Sequence, residues 1–481
     1  MTIIQALYEN SCKYPDRLAI AATDGDITYK ELWEYANRFA SYLKKEGICN
    51  GDAVIIQGVQ NIAFSIVIFG TLLSGGVVVP VDKNIISDNL LEIVKATNAK
   101  KVFSRDTLYS YTLAGVLELL NGINIQHYEF PSLDDISDIL YTTGTTGTPE
   151  GIIHTNRSHY ATVENIFSTI NMPEKNVALI AAPLNHSFAL RRFYANIVHG
   201  SSIVIIENII PLENFFNMLK KYRVTSIAMN PSALAIILKG SKNLLAEYKN
   251  QLDYIEFSSS PLKIDILKEA IFMLPNTKMY NIYGSTEAGC LTGYNNTQYL
   301  EQTGCIGYAN INSDIYILDD NYNIIDGFGK DNAGFLAVKG PIIMKGYLNN
   351  KINSHKVLSK GYYITQDIVY KDSKNFYYLL GRQSDIIPIG GLKVAPDEIE
   401  DVIKKCKGIT DCACIGKDNE LAGQVPVLFI TINSEYDSKE LYKFIKDKLE
   451  PYKCPKEIRI IDEIPKTFNG KILRRKLKEM L

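Results

Sequence analysis

A chain of 481 residues, 46% hydrophobic and 22% charged, has the composition of an ordinary globular protein with room for two or more domains, and excludes a disordered one. Fifty-one basic against fifty-three acidic side chains leave a formal charge of -2, so no global bias points to nucleic acid or to an anionic membrane surface. Eight cysteines without a Cys-x-x-Cys pair or a histidine at metal spacing read as free thiols, and the N-terminus shows no basic stretch followed by an apolar one; a cytoplasmic protein without zinc is expected.

In chain order, a helix-like opening precedes an amphipathic helix that runs to about residue 43, and the tight turn at Gly51-Asp52 delivers a strand over 53–57. The alternation repeats, with helix 62–73 before strand 76–80 and helix 89–97 before strand 101–103, which predicts α/β layers with buried parallel strands. The stretch 64–81 has the length of a membrane span. Its Ser65, Gly70, Ser74, Gly75, Gly76 and Pro80, and its β-branched end, read instead as a buried helix feeding a buried strand.

A strand ending at 138–140 runs into Tyr141-Thr-Thr-Gly-Thr-Thr-Gly-Thr-Pro-Glu-Gly151. Eleven residues with five threonines and three glycines cannot fill a core, so an exposed loop over the whole stretch is predicted, its hydroxyls and amides turned toward an anion such as phosphate. The plain alternative is a Ser/Thr-rich surface loop, and the Gly-Lys-Ser/Thr of the common nucleoside-triphosphate loop is absent.

Beyond it come helix 158–170 and a strand over 177–183 that runs out into Leu184-Asn-His186. Further strands follow at 203–206, 226–229, 254–257 and 278–282, with a helix at 215–221; the last two strands run into Ser258-Ser-Ser-Pro261 and Tyr283-Gly-Ser-Thr-Glu287. From about 305 the texture changes to short strands (313–318, 335–339, 376–380), a β-rich region. A compact module of helix 397–406, strands 412–415 and 425–432, helix 438–449 and strand 458–461 closes the chain, about 100 residues that could fold alone.

These turns, with Pro183-Leu-Asn-His186, Gly334-Phe-Leu-Ala-Val-Lys-Gly-Pro341, Gly346-Tyr347, Thr365-Gln-Asp367, Gly381-Arg382, Gly390-Gly391, Pro396-Asp-Glu-Ile-Glu400 and Pro465-Lys-Thr-Phe-Asn-Gly-Lys471, resemble the adenylate-forming enzymes: acyl- and aryl-CoA ligases, adenylation domains and luciferase-like proteins. The resemblance runs nearly end to end and in the family's order. It implies a mixed α/β fold with an N-terminal core over 1–382 and a small mobile α+β domain over 383–481.

The resemblance also implies the chemistry, in which a carboxylate oxygen attacks the α-phosphorus of ATP, pyrophosphate leaves, and a thiol then takes the acyl group. Thr142, Thr143, Gly144, Thr145, Thr146 and Gly147 would hold phosphates; Ser259, Ser260 and Pro261 would flank the adenine opposite Tyr283, within Gly284, Ser285 and Thr286. Asp367 and Arg382 would contact the ribose, a carboxylate being able to accept from two hydroxyls. Glu287 would bind Mg2+, a cation that requires hard oxygen donors. Lys471 would bridge carboxylate and α-phosphate, and His186 would flank the acyl carbonyl. Phe188, Arg192 and Asn281 would line the acyl pocket, and Gly390-Gly391 would let a pantetheine arm pass close to backbone. The implied partners are a small carboxylic acid, aryl or short to medium acyl, and CoA or the phosphopantetheine of a carrier protein, with no nucleic acid and no membrane span.

Departures from the family pattern raise a rival reading as a degenerate nucleotide-binding protein. Glu150 stands where a lysine is usual and is expected to face solvent or Arg157; Gln366, in place of glycine, is expected to strain the backbone. Ser259 also replaces a glycine, and Ser384 takes the hinge position. The pair Arg191-Arg192 in an apolar helix suggests a counter-charge for a second acidic group on the substrate, or else pairing with an acid or with CoA phosphates.

Overall fold

The computed structural model describes residues 1–58, 60–103, 113–143, 149–260, 262–299, 304–389, 392–419, 422–466 and 472–481; side chains of 113, 114, 142, 143, 149, 392 and 393 are outside the description. It divides into two compact units, Met1–Ile315 with Val338–Tyr363, and Tyr316–Ala337 with Ile364–Leu481.

The first unit is built on two sheets. In the larger, strands Lys278–Ser285, Tyr254–Phe257, Ser226–Met229, Val177–Ile180, Ser202–Ile205 and Leu18–Ala22 lie side by side in that order, all parallel. Antiparallel strands Gly289–Asn295 and Cys305–Ala309 extend one side, and Gly25–Thr28 the other. The smaller sheet has the order Gly346–Tyr347, Pro149–Thr155, Ile136–Thr143, Val77–Val81, Ala53–Gln57, Lys101–Phe103.

One apolar core joins both sheets through the helices between them: Val54, Val78 and Leu140 from the smaller sheet and Ile20, Ile180 and Ile203 from the larger share it with Phe39, Phe64, Phe69 and Phe193. The helix Ile62–Leu73 is buried along all twelve residues, which is why it carries no polar face and why its sequence imitates a membrane segment. Among the described residues no helix is long and apolar enough to cross a membrane. Helices Leu212–Lys221, Pro231–Gly240 and Ile264–Met273 cover the other face of the larger sheet.

The second unit carries most of the strands Asp314–Leu318, Gly334–Lys339 and Tyr362–Lys371, each of which has two residues assigned to the first unit, all of Tyr377–Arg382, and then a five-stranded sheet of Leu392–Val394, Ile387–Ile389, Gly423–Ile432, Ile409–Asn419 and Glu457–Ile460. Helices Pro396–Ile403 and Ser438–Lys448 bury Ile399, Ile403, Leu441 and Ile445 against it.

Most elements fall where the residues place them. The exceptions are instructive. The Thr/Gly stretch is not one loop: Tyr141, Thr142 and Thr143 continue their strand and pair with Gly151, Glu150 and Pro149, since β-branched threonine suits a ladder as well as a turn. Asn230-Pro231 ends the strand Ser226–Met229, as its residues suggest, and also starts a helix that went unread, Asn230 Oδ1 accepting from the Ala233 N–H and Pro231 taking the first helical position, where a missing N–H costs nothing.

Candidate active site

Parallel strands deliver the expected ligand-facing turns to one edge of the larger sheet. Phe257 pairs with Asn281 and Met229 with Phe257, so Ser258–260 and the turn after Lys278–Ser285 emerge at the same carboxyl edge, with Asn185-His186 two strands further on.

Glu287 sits in the tight connection between Lys278–Ser285 and Gly289–Asn295, not on a helix. Two glycines make that hairpin possible. A Cβ on Gly284 would lie 1.8 Å from the Gly289 carbonyl oxygen, and Gly289, at φ +66°, would bring one to 2.3 Å from Thr162 Oγ1. The hairpin is gripped from below by Arg191, whose guanidinium donates to the carbonyls of Ser285 at 2.7 Å and Thr286 at 2.6 Å, while Ser187 and Thr286 share a hydroxyl contact at 3.1 Å. From the side, the Met344 N–H donates to the Glu287 carbonyl at 2.7 Å and the Tyr347 hydroxyl donates to Glu287 Oε1 at 3.3 Å. The second carboxylate oxygen accepts no hydrogen bond among the described residues, which fits a ligand for a hard divalent cation.

Arg192 does not line an open pocket. It is buried, donating from Nε to Glu256 at 2.8 Å and from Nη1 to Cys290 Sγ at 3.2 Å, with the Phe188 ring 4.5 Å from its guanidinium. Burial alone would depress its pKa; Cys290 and Glu256 outweigh burial and hold the group above its ordinary value. The two neighbouring arginines therefore tie helix Ser187–His199 to the strand that feeds Ser258–260 and to the hairpin of Glu287. A counter-charge for a substrate is not what Arg192 provides, because Glu256 already takes it.

His186 precedes that helix and is exposed; desolvation by the surrounding protein lowers its pKa against the pull of Asp82 and favours neutral imidazole. Asn281 Nδ2 reaches the Cys305 carbonyl at 3.4 Å, and Tyr283 is half-buried. Ser259 is exposed at φ +78°, the left-handed conformation that explains why glycine is favoured there. Behind the strand Ile136–Thr143, Asp138 is hydrogen-bonded to His159, both fully buried, and the His159 ring meets Tyr194 edge-on at 5.2 Å.

Glu150 neither faces open solvent nor meets Arg157, which pairs with Asp134 at 2.9 Å. Its carboxylate accepts from the side-chain amides of Asn350 and Asn353, both at 2.8 Å. In the second unit, Asp367 and Arg382 are cross-strand neighbours with Nε to Oδ1 at 3.4 Å, and the Asp367 N–H donates to Thr365 Oγ1 at 3.0 Å. Gln366 lies in that strand without a positive φ, so the expected strain does not arise. Ser384 accepts at its carbonyl from Lys478 Nζ at 3.3 Å. Gly144, Thr145, Thr146, Gly147, Pro261, Gly390, Gly391 and Lys471 lie outside the described residues, as do the side chains of Thr142 and Thr143.

Sequence reasoning passed over Arg191, Tyr347, Asn350 and Asn353 as site-building residues. The signals were partial: two arginines inside an apolar helix, already noted as unusual, and Gly346-Tyr347 three residues before Asn350.

An α/β body whose strands present these turns at one carboxyl edge, followed by a separate αβ module, is the architecture of nucleotide-dependent ligases. Residues 7–348 match the model of the AMP-binding enzymes and residues 398–471 that of the AMP-binding enzyme C-terminal domain, so the chain belongs to this adenylate-forming family and is an AMP-forming acid–thiol ligase. Among its relatives, the 2-succinylbenzoate–CoA ligase of Bacillus licheniformis is 26% identical over 473 residues, covering 96% of this chain and 97% of that protein. The fold is shared with ATP-bound MatB from Rhodopseudomonas palustris, at 21% identity and TM-score 0.89 over 100% of this chain and 99% of that one. It is also shared with O-succinylbenzoate coenzyme A synthetase (MenE) from Bacillus subtilis in complex with ATP and magnesium ion, at 23% identity and TM-score 0.85 over 98% of this chain and 99% of that one.

Proposed function

We propose that this chain activates a small carboxylic acid, aryl or short to medium acyl, with ATP and transfers it to CoA. An acid oxygen attacks the α-phosphorus, pyrophosphate leaves, and the thiol of CoA then attacks the acyl carbonyl with AMP as leaving group. The observation that carries this reading is the half-buried Glu287 carboxylate, fixed in a hairpin beside Ser258–260 at one sheet edge with an oxygen left over. Glu287 would hold magnesium, whose charge offsets that of the phosphates.

The remaining roles follow the resemblance. Residues 142–147 hold phosphates, Tyr283 and Ser259–Ser260–Pro261 enclose the adenine, and Asp367 with Arg382 takes the ribose. Lys471 bridges the two reacting groups, and His186, with Phe188 and Asn281, borders the acyl group. Gly390-Gly391 passes the pantetheine arm, and the mobile domain begins after Arg382. The geometry at Glu150 and Gln366 removes the motive for reading the chain as degenerate, since the acid has its own partners and the backbone is relaxed.

The test is pyrophosphate release across aryl, fatty and dicarboxylic acids, including 2-succinylbenzoate because relatives from Bacillus and Listeria carry that name. Each active acid is then offered CoA or a phosphopantetheinylated carrier protein. Acyl-CoA as the product is expected; acylation of the carrier alone would overturn the choice of acceptor. Lys471→Ala should slow adenylation by about 10²- to 10³-fold, the range for removing one donor aimed at developing charge. A variant as fast as its parent would remove Lys471 from the reaction.

A further inference from the structure

Tyr347 is held on every backbone side. Its short strand pairs with Pro149–Thr155 through Gly346 opposite Ile153 and Tyr347 opposite Ile152, the Leu348 N–H donates to the Gly151 carbonyl at 2.7 Å, and its own N–H donates to Ser354 Oγ at 2.9 Å. Asn350 Oδ1 accepts from the Asn353 N–H at 3.0 Å, capping the helix Lys351–Val357, and the Glu150 carboxylate joins the amides of both asparagines. The ring of a residue so fixed has little freedom, and its hydroxyl ends on Glu287 Oε1.

Two features of this arrangement bear on Glu287. The acid at 150 removes a cation from the strand that leaves the threonine turn, and the two amides that meet it lie within six residues of Tyr347. A carboxylate with two oxygens and free rotation can present either edge to a cation; engaging Oε1 from a rigid donor leaves Oε2 in one orientation, which is how an outer partner raises the affinity of a metal ligand.

We propose that Tyr347 is a positioning residue for Glu287, aligning its carboxylate for the divalent cation, and that the Glu150–Asn350–Asn353 clamp holds Tyr347 in register. This rests on the reading of Glu287 as the metal ligand.

The test measures Mn2+ binding to the full-length protein with a non-cleavable α,β-methylene analogue of ATP, by loss of the free-ion electron paramagnetic resonance signal. Tyr347→Phe should bind Mn2+ about five- to tenfold more weakly, the effect of one hydrogen bond to a charged group at the long end of its distance range. Glu150→Ala, which spares both tyrosine and carboxylate, should weaken it about twofold in the same direction and stands in if Tyr347→Phe does not fold. In a Glu287→Gln background the phenylalanine change should have no effect. In steady state, Tyr347→Phe should raise the magnesium requirement of adenylation and leave thiol transfer from a supplied acyl-adenylate unchanged. Parental Mn2+ affinity in Tyr347→Phe, or a loss that persists in the Glu287→Gln background, would overturn the role of Tyr347 and leave Glu287 standing. Parental affinity in Glu287→Gln would overturn both.

Discussion

Ser259 holds a backbone conformation that costs an L-residue about 1 kcal/mol, and no compensating side-chain bond is seen for it among the described residues. Ser259→Gly should therefore stabilise the protein by up to about 1 kcal/mol, read as a higher denaturation midpoint; a lower midpoint would mean that the serine hydroxyl has work to do in the folded protein. A second consequence belongs to His154. It is buried, and burial first, then Arg191 and His159, hold its pKa well below the usual value. The native ring stays neutral while the unfolded one takes a proton as pH falls below about 6.5, so its contribution is intact above that value and is lost on acidification. Stability measured at pH 7.5, 6.0 and 5.0 should fall by up to about 1.4 kcal/mol per unit from this group, and His154→Gln should flatten that share of the slope. At this scale the sequence was most legible where a residue stands inside a motif. Glu287 lies in the turn after Lys278–Ser285, whereas Asp367 lies inside the strand Tyr362–Lys371 opposite Arg382. It was least legible where burial decides the role: no string of letters shows that Arg192 would meet Glu256, 64 positions away.

Helix Ser187–His199 acts on the site by anchoring rather than by lining it. Its two arginines fasten the strand before Ser258–260 and the hairpin of Glu287, so a change far from any substrate can displace both turns. Glu256→Ala leaves the Arg192 charge buried without its partner and should destabilise by about 3–5 kcal/mol, whereas Arg192→Met combined with Glu256→Leu should lose far less, because the desolvation of both charges disappears together. Chemical denaturation of the three proteins checks it; equal losses in the single and double variants would show that the pair is not the energetic unit. Short, mostly apolar runs bounded by turn residues made 53–57, 226–229 and 254–257 readable as strands. The helix Ile264–Met273 escaped notice because it buries only Leu267 and Ala270 deeply and carries a weak apolar stripe. The threonine stretch misled because its residue types serve a ladder and a phosphate turn alike.

At the scale of the molecule, the region after Arg382 carries its own core. Ile387, Val394, Ile399, Ile403, Leu428, Ile430, Leu441 and Ile445 form one apolar cluster, and Ala413, Ile415, Val427, Phe429, Ile464 and Leu477 a second on the other face of the same sheet. Arg474 reinforces it by pairing with Asp397 at 2.7 Å and with the buried Glu400. A fragment of residues 383–481 should accordingly unfold in a single cooperative transition when made alone, followed by circular dichroism in urea; a sloping, non-cooperative melt would show that the domain begins elsewhere. The change of texture near residue 305 and the compact module that closes the chain were visible in the sequence, but the division of the chain around Tyr316–Ala337 was not, because it depends on which strands pair rather than on what they contain.

That division has a bearing on how the protein is born. Residues 316–337 belong with a unit most of which lies beyond residue 363, and a further piece of the first unit is interposed. On the ribosome, Asp314–Leu318 and Gly334–Lys339 emerge before Tyr362–Lys371 and Tyr377–Arg382 exist to extend their ladder. At about 5–20 residues per second, they wait some seconds with an open hydrogen-bonding edge. During that interval a nascent chain is open to mispairing, and a pause in translation downstream of Lys339 would lengthen it.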